Sequence, residues 1–322
     1  MVQDAILSIR DLKKNFPVKK GFFRRTAGYV KAVNDINLEI NRGETFGLVG
    51  ESGCGKSTLG RLIMRVLEPT AGSIMFDGEH LSELSGKKLR ETRKKLQMVF
   101  QDPYASLNPK MTVKKIITEP YRIYGIGTPH EQENWALELL KEVGLGEHHI
   151  DRFPHEFSGG QRQRIGIARA LALKPKLLVC DEPVSALDVS VRAQVIKLMQ
   201  QLQQKHGLTY IFISHDLSVV KYISHRVGVM YMGHLVEVAD KHELYKNALH
   251  PYTKALLSAI PIPNPMHKRN RVVLVGDVPS PIDTPSGCIF HLRCSACMDI
   301  CRIQKPKLKE VSKGHTVECH LV

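Results

Sequence analysis

A glycine-rich octapeptide early in the chain constrains the fold more than any other feature. Residues 50–57 read Gly-Glu-Ser-Gly-Cys-Gly-Lys-Ser and fit the pattern G-x-x-x-x-G-K-[ST]. The short apolar run Thr45–Val49 precedes it, and apolar residues at helical spacing follow it over 57–67. Between a strand and a helix, such glycines let backbone N–H groups turn inward around phosphates, at the positive end of the helix. The sequence therefore predicts a nucleotide phosphate site, with an ordinary glycine-rich turn as the alternative.

Four side chains could supply the chemistry of such a site. Lys56 reaches the β- and γ-phosphates of a bound nucleotide, and the hydroxyl of Ser57 binds Mg²⁺. A second apolar run, 177–180, ends in Asp181 and Glu182. An aspartate at a strand end can hold Mg²⁺ through water, and the next glutamate can polarise an attacking water. The alternative is a common strand-ending acidic turn.

A second glycine motif, Ser158-Gly159-Gly160-Gln161, precedes a segment rich in Arg and Ala that predicts a helix over 163–173. Serine is a good N-cap, and two glycines let a backbone approach an anion closely. A simple Gly-Gly loop before a helix is the alternative. One chain cannot easily hold one nucleotide from both sides. The two motifs together indicate an ATPase that closes two such domains on shared ATP.

The remaining patterns predict an α/β protein. Residues 4–50 indicate strands of a small β region, with 19–29 as an exposed hairpin loop, and 104–150 indicates a mostly helical segment. Buried parallel strands are predicted at 177–180 and 211–214, and a hairpin at 227–238 turns at 233–234. The composition shifts near residue 260, where prolines accumulate, so we place a domain boundary at about 250–265. These prolines are Pro261, Pro263, Pro265, Pro279, Pro281 and Pro285.

Composition narrows the cellular setting. The 322 residues, 43% hydrophobic and 24% charged, are typical of a globular protein. No apolar run approaches the roughly 20 residues of a membrane span, and the N-terminus has no signal pattern, so we expect a cytosolic protein that reaches a membrane only by docking. The net charge of +14 suits phosphate, nucleic acid or an anionic membrane face. No basic stretch is interleaved with aromatic residues, and we expect no nucleic-acid partner.

The motifs, taken in order over residues 4–250, resemble the nucleotide-binding subunit of an ABC transporter. The resemblance implies a P-loop NTPase fold of the ABC type, with a mixed parallel core sheet, an antiparallel β subdomain and a helical subdomain at about 104–172. This domain would span 1–255, followed by a small cysteine-containing extension over 256–322. The matching residues are Gly50, Ser52, Gly53, Cys54, Gly55, Lys56, Ser57 and Thr58 of Walker A; Gln101 of the Q-loop; Ser158, Gly159, Gly160 and Gln161 of the signature; Asp181 and Glu182 of Walker B; Asp188 of the D-loop; and the switch His215.

The resemblance also implies roles. Glu182 is the general base or water-orienting residue, His215 contacts the γ-phosphate, and Gln101 senses Mg²⁺ and couples to the membrane subunit. Mg²⁺ is held through Ser57, Gln101 and Asp181, and the signature residues bind the ATP of the partner chain. Phe16 is expected to stack on adenine, with a core aromatic as the alternative. Every group needed for hydrolysis is present, so we expect an active ATPase.

Two segments, 102–111 and 154–158, together with the tail, resemble the oligopeptide/dipeptide importers, and most of all the second of their two ATPase subunits. The resemblance implies a partner ATPase subunit, two transmembrane permeases and an extracytoplasmic peptide-binding protein, on the cytoplasmic face of the cell membrane. A homodimer and an importer of nickel or another small solute stay open. A non-transport ABC ATPase of translation or DNA repair is disfavoured, because the chain has one nucleotide domain and no sustained heptads.

Four cysteines in the tail, Cys288, Cys294, Cys301 and Cys319, could form a four-thiolate site. In a cytosolic chain, clustered cysteines indicate metal or redox chemistry rather than disulfides. Their spacing matches neither a zinc ribbon nor a standard ferredoxin run. The family resemblance favours a [4Fe–4S] cluster, with zinc or free thiols as alternatives. Cys297 is a possible replacement ligand.

Overall fold

The computed structural model describes residues 4–20, 25–260, 272, 274, 276–277, 279–282 and 284–322. The predictions for Pro261, Pro263, Pro265 and the centre of the hairpin loop, 21–24, lie outside the described residues. None of the helices in the described ranges combines the length and apolar character that crossing a membrane requires.

The described residues form strands and helices that alternate along the chain. The strands are β1 Ala5–Lys20, β2 Arg25–Asn41, β3 Thr45–Val49, β4 Ala71–Phe76, β5 Glu79–His80, β6 Leu96–Val99, β7 Leu177–Asp181, β8 Thr209–Ile213, β9 Arg226–Tyr231, β10 His234–Asp240, β11 Leu308–Ser312 and β12 His315–Glu318. The helices are α1 Lys56–Ile63, α2 Gly86–Lys95, α3 Pro103–Ser106, α4 Val113–Tyr124, α5 Pro129–Glu142, α6 Gly159–Leu171, α7 Val189–His206, α8 Leu217–Ile223, α9 Lys241–Asn247, α10 Pro251–Ser258 and α11 Asp299–Ile303. Short 3-10 turns span Glu147–His149, Pro154–Glu156 and His291–Arg293.

The chain forms two compact units, one made of Met1–Ile40, Thr45–Glu83 and Ser214–Val322, the other of Asn41–Glu44 and Leu84–Ile213. We call them the loop unit, which contains residues 50–57, and the signature unit, which contains 158–161. The sequence prediction placed a boundary near 255 instead, and that division into domains stays a prediction.

The loop unit contains two groups of paired strands. In the first, ordered β2-β1-β4-β5, antiparallel pairing sets Leu7 opposite Phe76 and Ile9 opposite Ile74, and all four side chains are buried. Such apolar cross-strand pairs are what stabilise a sheet face. In the second group, ordered β11-β12-β10-β9-β3, strand β3 runs parallel to β9 and all five of its residues are buried. This pairing fixes the carboxyl end of β3, where the glycine-rich octapeptide begins.

The tail joins the loop unit through strand β12, which pairs antiparallel with β10. Glu237 of β10 is fully buried, and one of its carboxylate oxygens lies 2.9 Å from Nε2 of His315 on β12. The backbone N–H groups of Leu249 and His250 also donate to this carboxylate, at 2.7 and 3.1 Å. A buried carboxylate is stable only with such partners, so this contact fastens the tail to β10.

The signature unit contains the parallel strands β8-β7-β6, with helices α4, α5 and α6 among its helical elements. Val179 of β7 lies opposite Met98 of β6 and Ile211 of β8. The residues of β7 and β8 are buried throughout, as expected for strands covered on both faces. The carboxyl ends of β6 and β7 are neighbours, and ligand-binding groups of α/β sheets collect at that edge.

The predicted strands at 45–49, 177–180 and 211–214 are confirmed, and so is the hairpin at 227–238, although it turns at 232–233 rather than at 233–234. Two helices, α1 and α6, differ from their predicted bounds. Helix α1 ends at Ile63 and not at residue 67, because Arg65 adopts a left-handed conformation with φ of 52°. Helix α6 begins at Gly159, four residues before the predicted start at 163, because the two glycines form its first turn. The wider α/β fold class is as predicted.

Candidate functional site

The octapeptide 50–57 forms a loop that only glycine can build at two positions. Gly50 and Gly55 have φ values of 155° and 109°, and a Cβ atom would lie 2.1 Å from the carbonyl oxygen of Met230 or Ala32 respectively. Gly55 is the N-cap of α1 and, with no side chain, makes no side-chain cap hydrogen bond. The start of α1 therefore has no side-chain cap, and a helix N-terminus directly after a glycine-rich loop is the arrangement that binds phosphate.

Lys56 lies against its own loop. Its side chain is buried, and Nζ donates to the carbonyl oxygens of Gly50 and Glu51 at 2.8 and 2.9 Å. The ammonium is thus held at the centre of the loop, where the terminal phosphates of a nucleotide would sit. Burial raises the pKa of the nearby Cys54 thiol, which therefore stays protonated and is not a nucleophile.

Gln101 and Glu182 meet in the signature unit. Gln101 follows β6, Glu182 follows β7, and the amide Nε2 of Gln101 donates to Oε2 of Glu182 at 3.0 Å. Asp181, the last residue of β7, is buried. Glu182 has a φ of 46°, a strained conformation for a residue with a side chain, and its N–H donates to the carbonyl oxygen of Ile213 at 2.9 Å. Strain of this kind persists where the surroundings enforce it and is common at functional sites.

The signature residues form a capping box at the start of α6. Oγ of Ser158 accepts from the N–H of Gln161 at 3.3 Å, and Oε1 of Gln161 accepts from the N–H of Ser158 at 3.0 Å. Gly160 is buried, and a Cβ atom there would lie 2.3 Å from Cγ1 of Val191 on α7. Two first-turn donors are therefore satisfied within the chain itself.

An arginine fixes the signature helix to the segment after the Q-loop. The guanidinium of Arg162 lies 3.7 Å from the ring centroid of Tyr104, and its Nε donates to the carbonyl oxygen of Pro154 at 2.6 Å. Tyr104 is only two residues beyond Asp102, whose carboxylate accepts from its N–H at 2.7 Å. Within the signature unit, a shift of the Gln101 segment would therefore act on the start of α6.

The structure places the remaining predicted residues at separate positions. Asp188 is exposed at the N-cap position of α7, in the signature unit. In the loop unit, His215 is exposed between Ser214 and the α8 cap Asp216. Phe16 is half-buried on β1, with Nζ of Lys14 at 5.1 Å from its ring centroid, so it is not a fully buried core aromatic.

The four predicted ligand cysteines lie near one another in the tail. Burial, with smaller contributions from the thiols of Cys301, Cys319 and Cys294, raises the pKa of Cys288 to about 12. Burial also raises the pKa of Cys294, with contributions from Cys319, Cys297 and Cys301, and that of Cys319, with a contribution from Cys301. Each of the four therefore interacts electrostatically with the other three.

The extra cysteine, Cys297, lies close enough to Cys294 to raise the pKa of that thiol, and its own Sγ donates to the carbonyl oxygen of Met298 at 3.5 Å. Across the described ranges, no group of three or more His, Cys, Asp or Glu side chains is placed to hold a metal ion. The iron–sulfur prediction is therefore not confirmed.

Sequence patterns missed three residues that hold the loop. The carboxylate of Glu51 accepts two hydrogen bonds from Arg293, and its N–H donates to Oη of Tyr252 at 2.9 Å. These partners lie 242 and 201 residues away along the chain. The one available signal was that Arg293 directly precedes Cys294 in the cysteine-rich tail.

Two family models match the chain. The ABC transporter model matches residues 33–185, and the model of the oligopeptide/dipeptide transporter C-terminal region matches residues 236–301. The octapeptide, Gln101, the signature and Glu182 all lie within the first match, and Cys288, Cys294 and Cys301 within the second.

Known proteins resemble the chain over nearly its whole length. The oligopeptide transport ATP-binding protein AppF of Bacillus subtilis is 55% identical over 322 residues, 99% of this chain and 98% of that protein. A putative peptide import ATP-binding protein of Brucella abortus is 50% identical over 319 residues, 99% of this chain and 98% of that protein. A dimeric ATP-binding cassette bound to ADP and Pi has a TM-score of 0.65 at 29% identity, over 73% of this chain and 98% of that one. The family resemblance and fold class predicted from the sequence are confirmed, and the chain belongs to the ATP-hydrolysing subunits of ABC transporters that carry the oligopeptide/dipeptide C-terminal region.

Proposed function

We propose that this chain hydrolyses MgATP as one of two ATPase subunits that power an importer of oligopeptides or dipeptides, docked on the cytoplasmic face of the cell membrane. The observation that carries the proposal is the hydrogen bond between Gln101 and Glu182, which aims a strand-end carboxylate and holds it by an amide. A carboxylate so placed can orient a water for attack on a phosphate. The peptide cargo is supported by the relatives, which are named as peptide transport proteins, and by the tail.

The residues of the loop unit would bind the nucleotide. The loop 50–57 surrounds the phosphates with backbone N–H groups, assisted by Ser52, Gly53 and Thr58. Lys56 exchanges its contacts with Gly50 and Glu51 for phosphate oxygens. Phe16 stacks on the adenine, and its half-buried ring on β1 suits that role.

The metal and the water would be held by acids and amides. Ser57, Gln101 and Asp181 would hold Mg²⁺, which would neutralise charge on the phosphates, and Glu182 would orient the attacking water. His215 contacts the γ-phosphate. Hydrolysis then depends on positioning and on charge stabilisation by Lys56 and Mg²⁺ rather than on a covalent intermediate.

The signature residues would act on the nucleotide of the partner ATPase subunit. Ser158 and Gly160 offer a hydroxyl and a close backbone approach to a γ-phosphate at the start of α6, and Gly159 and Gln161 complete that turn. Asp188 belongs to the same contact between subunits. Two bound ATP molecules thereby favour the closed dimer, and hydrolysis releases it. The permease subunits receive this motion through the Gln101 segment, and an extracytoplasmic protein delivers the peptide.

Substitution of the carboxylate tests the ATPase proposal directly. We expect Glu182→Gln to bind MgATP with unchanged affinity, to lose most of its turnover and to accumulate the closed dimer with the partner subunit. Bound-nucleotide analysis measures the affinity, phosphate release measures the turnover, and light scattering measures the closed dimer. The exposed Glu83 supplies the matched control, and Glu83→Gln should behave as the wild type. Normal turnover in Glu182→Gln would remove Glu182 from its proposed role.

The cargo requires the whole complex, because the ATPase subunit does not contact the transported solute. The chain should copurify with a second ATPase subunit and two permeases, and proteoliposomes should take up labelled dipeptides or oligopeptides in an ATP-dependent way. Uptake of Ni²⁺ without uptake of peptides would assign the alternative cargo and refute the peptide proposal.

We further propose that Cys288, Cys294, Cys301 and Cys319 hold a [4Fe–4S] cluster. The mutual electrostatic contacts of the four thiols support it. Zinc bound by the same four thiolates is the alternative, and the metal content of the purified protein separates the two. A cluster spreads its four cysteines more widely, and when bound it would crosslink the tail and could exchange one electron.

Anaerobic purification tests this cofactor without reference to ATPase activity. We expect a broad visible absorption and about four iron atoms per chain, both lost in Cys288→Ser. The matched variant Cys297→Ser should keep both, since this thiol contacts the carbonyl oxygen of Met298. A colourless, iron-free wild-type protein would refute the proposal.

A further inference from the structure

The second residue of the phosphate loop is held by the cysteine-rich tail. Nη1 and Nη2 of Arg293 donate to the two carboxylate oxygens of Glu51 at 2.8 and 3.0 Å, in a bidentate pair. The Arg293 side chain is only 8% exposed and that of Glu51 27%. Charge-assisted bidentate pairs are stronger and more directional than single hydrogen bonds, and shielding from water strengthens them further. The pair is therefore a geometric restraint on the loop rather than a solvated surface ion pair.

The backbone of the same residue is held from a second side. The N–H of Glu51 donates to Oη of Tyr252 at 2.9 Å, and Tyr252 is fully buried. The rings of Tyr231 and Phe290 lie 4.7 and 5.4 Å from that of Tyr252, between centroids. Phe290 stands three residues before Arg293, so the tail contributes both the aromatic ring behind the loop and the guanidinium that grips it.

The arginine is placed by the fold of the tail itself. It ends the short 3-10 turn His291–Arg293, which lies between Cys288 and Cys294. The N–H of Cys288 donates to the carbonyl oxygen of Cys301 at 2.8 Å, and that of Arg293 to Phe290 at 3.0 Å. The position of the guanidinium is therefore set by the segment that carries the cysteines.

We propose that Arg293 is a positioning residue for the phosphate loop, through which the tail sets the affinity for nucleotide. The proposal rests on the proposed ATP-binding role of the loop. Glu51 follows Gly50, where the chain leaves β3, and its carbonyl oxygen accepts from Nζ of Lys56. Release of the Glu51 carboxylate would loosen the peptide that also orients Lys56 and its neighbouring N–H groups. A loop that must be ordered on binding holds its ligand more weakly than one that is preorganised.

The experiment separates affinity from turnover in the full-length chain. Binding of MgADP and of a non-hydrolysable MgATP analogue is titrated for the wild type and Arg293→Ala, and turnover is measured at saturating ATP. We expect about tenfold weaker binding, equivalent to about 1.4 kcal/mol, with turnover at saturation changed less than twofold. Arg293→Lys should recover only part of the affinity, because an ammonium cannot form the bidentate pair. Arg302→Ala removes an exposed arginine of the same tail and should bind as the wild type.

A double-mutant cycle tells positioning from general damage to the tail. Glu51→Gln keeps the size of the side chain and loses the ion pair, so it should weaken binding in the same way, and the double variant Glu51→Gln/Arg293→Ala should be no weaker than either alone. If Arg293→Ala fails to fold, Glu51→Gln still carries the test. Unchanged affinity in the folded single variants, or additive losses in the double variant, would overturn the proposal. A wild-type protein that does not bind MgATP would instead refute the proposed function.

Discussion

Two helices of this chain begin next to glycines, and their first turns are satisfied in opposite ways. Helix α1 starts after Gly55, which has no side chain to cap it, whereas α6 starts with the reciprocal hydrogen bonds of Ser158 and Gln161. The first helix has no side-chain cap at its start. In the second, the N–H groups of Ser158 and Gln161 are already occupied within the chain. The difference fits the proposed roles, since one start holds the chain's own nucleotide and the other meets a nucleotide brought by another subunit.

The largest effect on nucleotide affinity is expected when a Cβ atom is added at Gly55, the N-cap of α1. Gly55→Ala forces an alanine to a φ of 109° with its Cβ at 2.1 Å from the Ala32 carbonyl oxygen. We expect MgATP affinity to fall about 100-fold, or about 2.7 kcal/mol, in a titration with a fluorescent nucleotide. Gly53→Ala is the control, because its φ is 79° but no atom lies within 4 Å of the added Cβ, and it should lose less. Wild-type affinity in Gly55→Ala would show that nucleotide binding does not depend on a bare glycine at the start of α1.

A third helix, α10, begins at a buried N-cap residue, His250. Nδ1 of His250 accepts from the N–H of Tyr252 at 3.1 Å, and burial lowers the pKa of His250 to about 3. The unfolded chain, with an ordinary histidine pKa near 6.5, takes up the proton first, so stability is lost as the pH falls from about 6.5 toward 3.

We expect this histidine to contribute a loss of about 2 kcal/mol between pH 6.5 and pH 5, measured by urea unfolding. His250→Asn keeps a neutral cap and should flatten this dependence. The nearby carboxylate of Glu237 is present in both proteins, so the difference between their slopes isolates His250. If the unfolding free energy changed with pH equally in the wild type and in His250→Asn, His250 would not be the group responsible.

Substitution of Ser158, the N-cap of α6, is expected to lower stability and turnover without changing nucleotide binding by the isolated chain. Ser158→Ala removes the hydroxyl that accepts from Gln161, which should cost about 1 kcal/mol of stability. Turnover of the assembled complex should fall about tenfold, as expected when one hydrogen bond to a charged group is lost. Binding of MgATP to the isolated chain should not change. Ser158→Thr retains a hydroxyl and is the control. Weakened binding by the isolated Ser158→Ala chain would show that Ser158 contacts the chain's own nucleotide and not that of the partner subunit.

The smallest effect is expected at the first residue of the capped helix. A Cβ atom at Gly159 would lie 3.5 Å from Cδ2 of Leu187, an ordinary contact. Gly159→Ala should therefore fold normally and gain about 0.5 kcal/mol, because alanine loses less backbone entropy than glycine. Thermal unfolding measures the change. A marked loss of stability would show that the two glycine-bordered starts are equally intolerant, contrary to the comparison.

The sequence predicted the parts of the site that depend on local patterns. Strand β3, the loop 50–57 and the acids at the end of β7 follow from short apolar runs and glycine spacing, which act within a few residues. The start of α6 was predicted four residues late, although Ser158 and Gln161 stand at the spacing of a capping box, a local signal that was available.

Long-range contacts were beyond such patterns. Nothing in the spacing of Glu51 and Arg293 indicates that residues 242 positions apart form an ion pair. The same holds for the pairing of β10 with β12 and for the approach of Cys319 to Cys288, which depend on how the tail folds back.

The pairing of β12 with β10 makes the C-terminal segment inseparable from the ATPase. A protein trimmed at residue 255 would expose the edge of β10 along Glu237 and Val238. It would also lose the contact between the imidazole of His315 and the buried carboxylate of Glu237. A protein shortened in this way is therefore expected to aggregate rather than to work as a minimal motor.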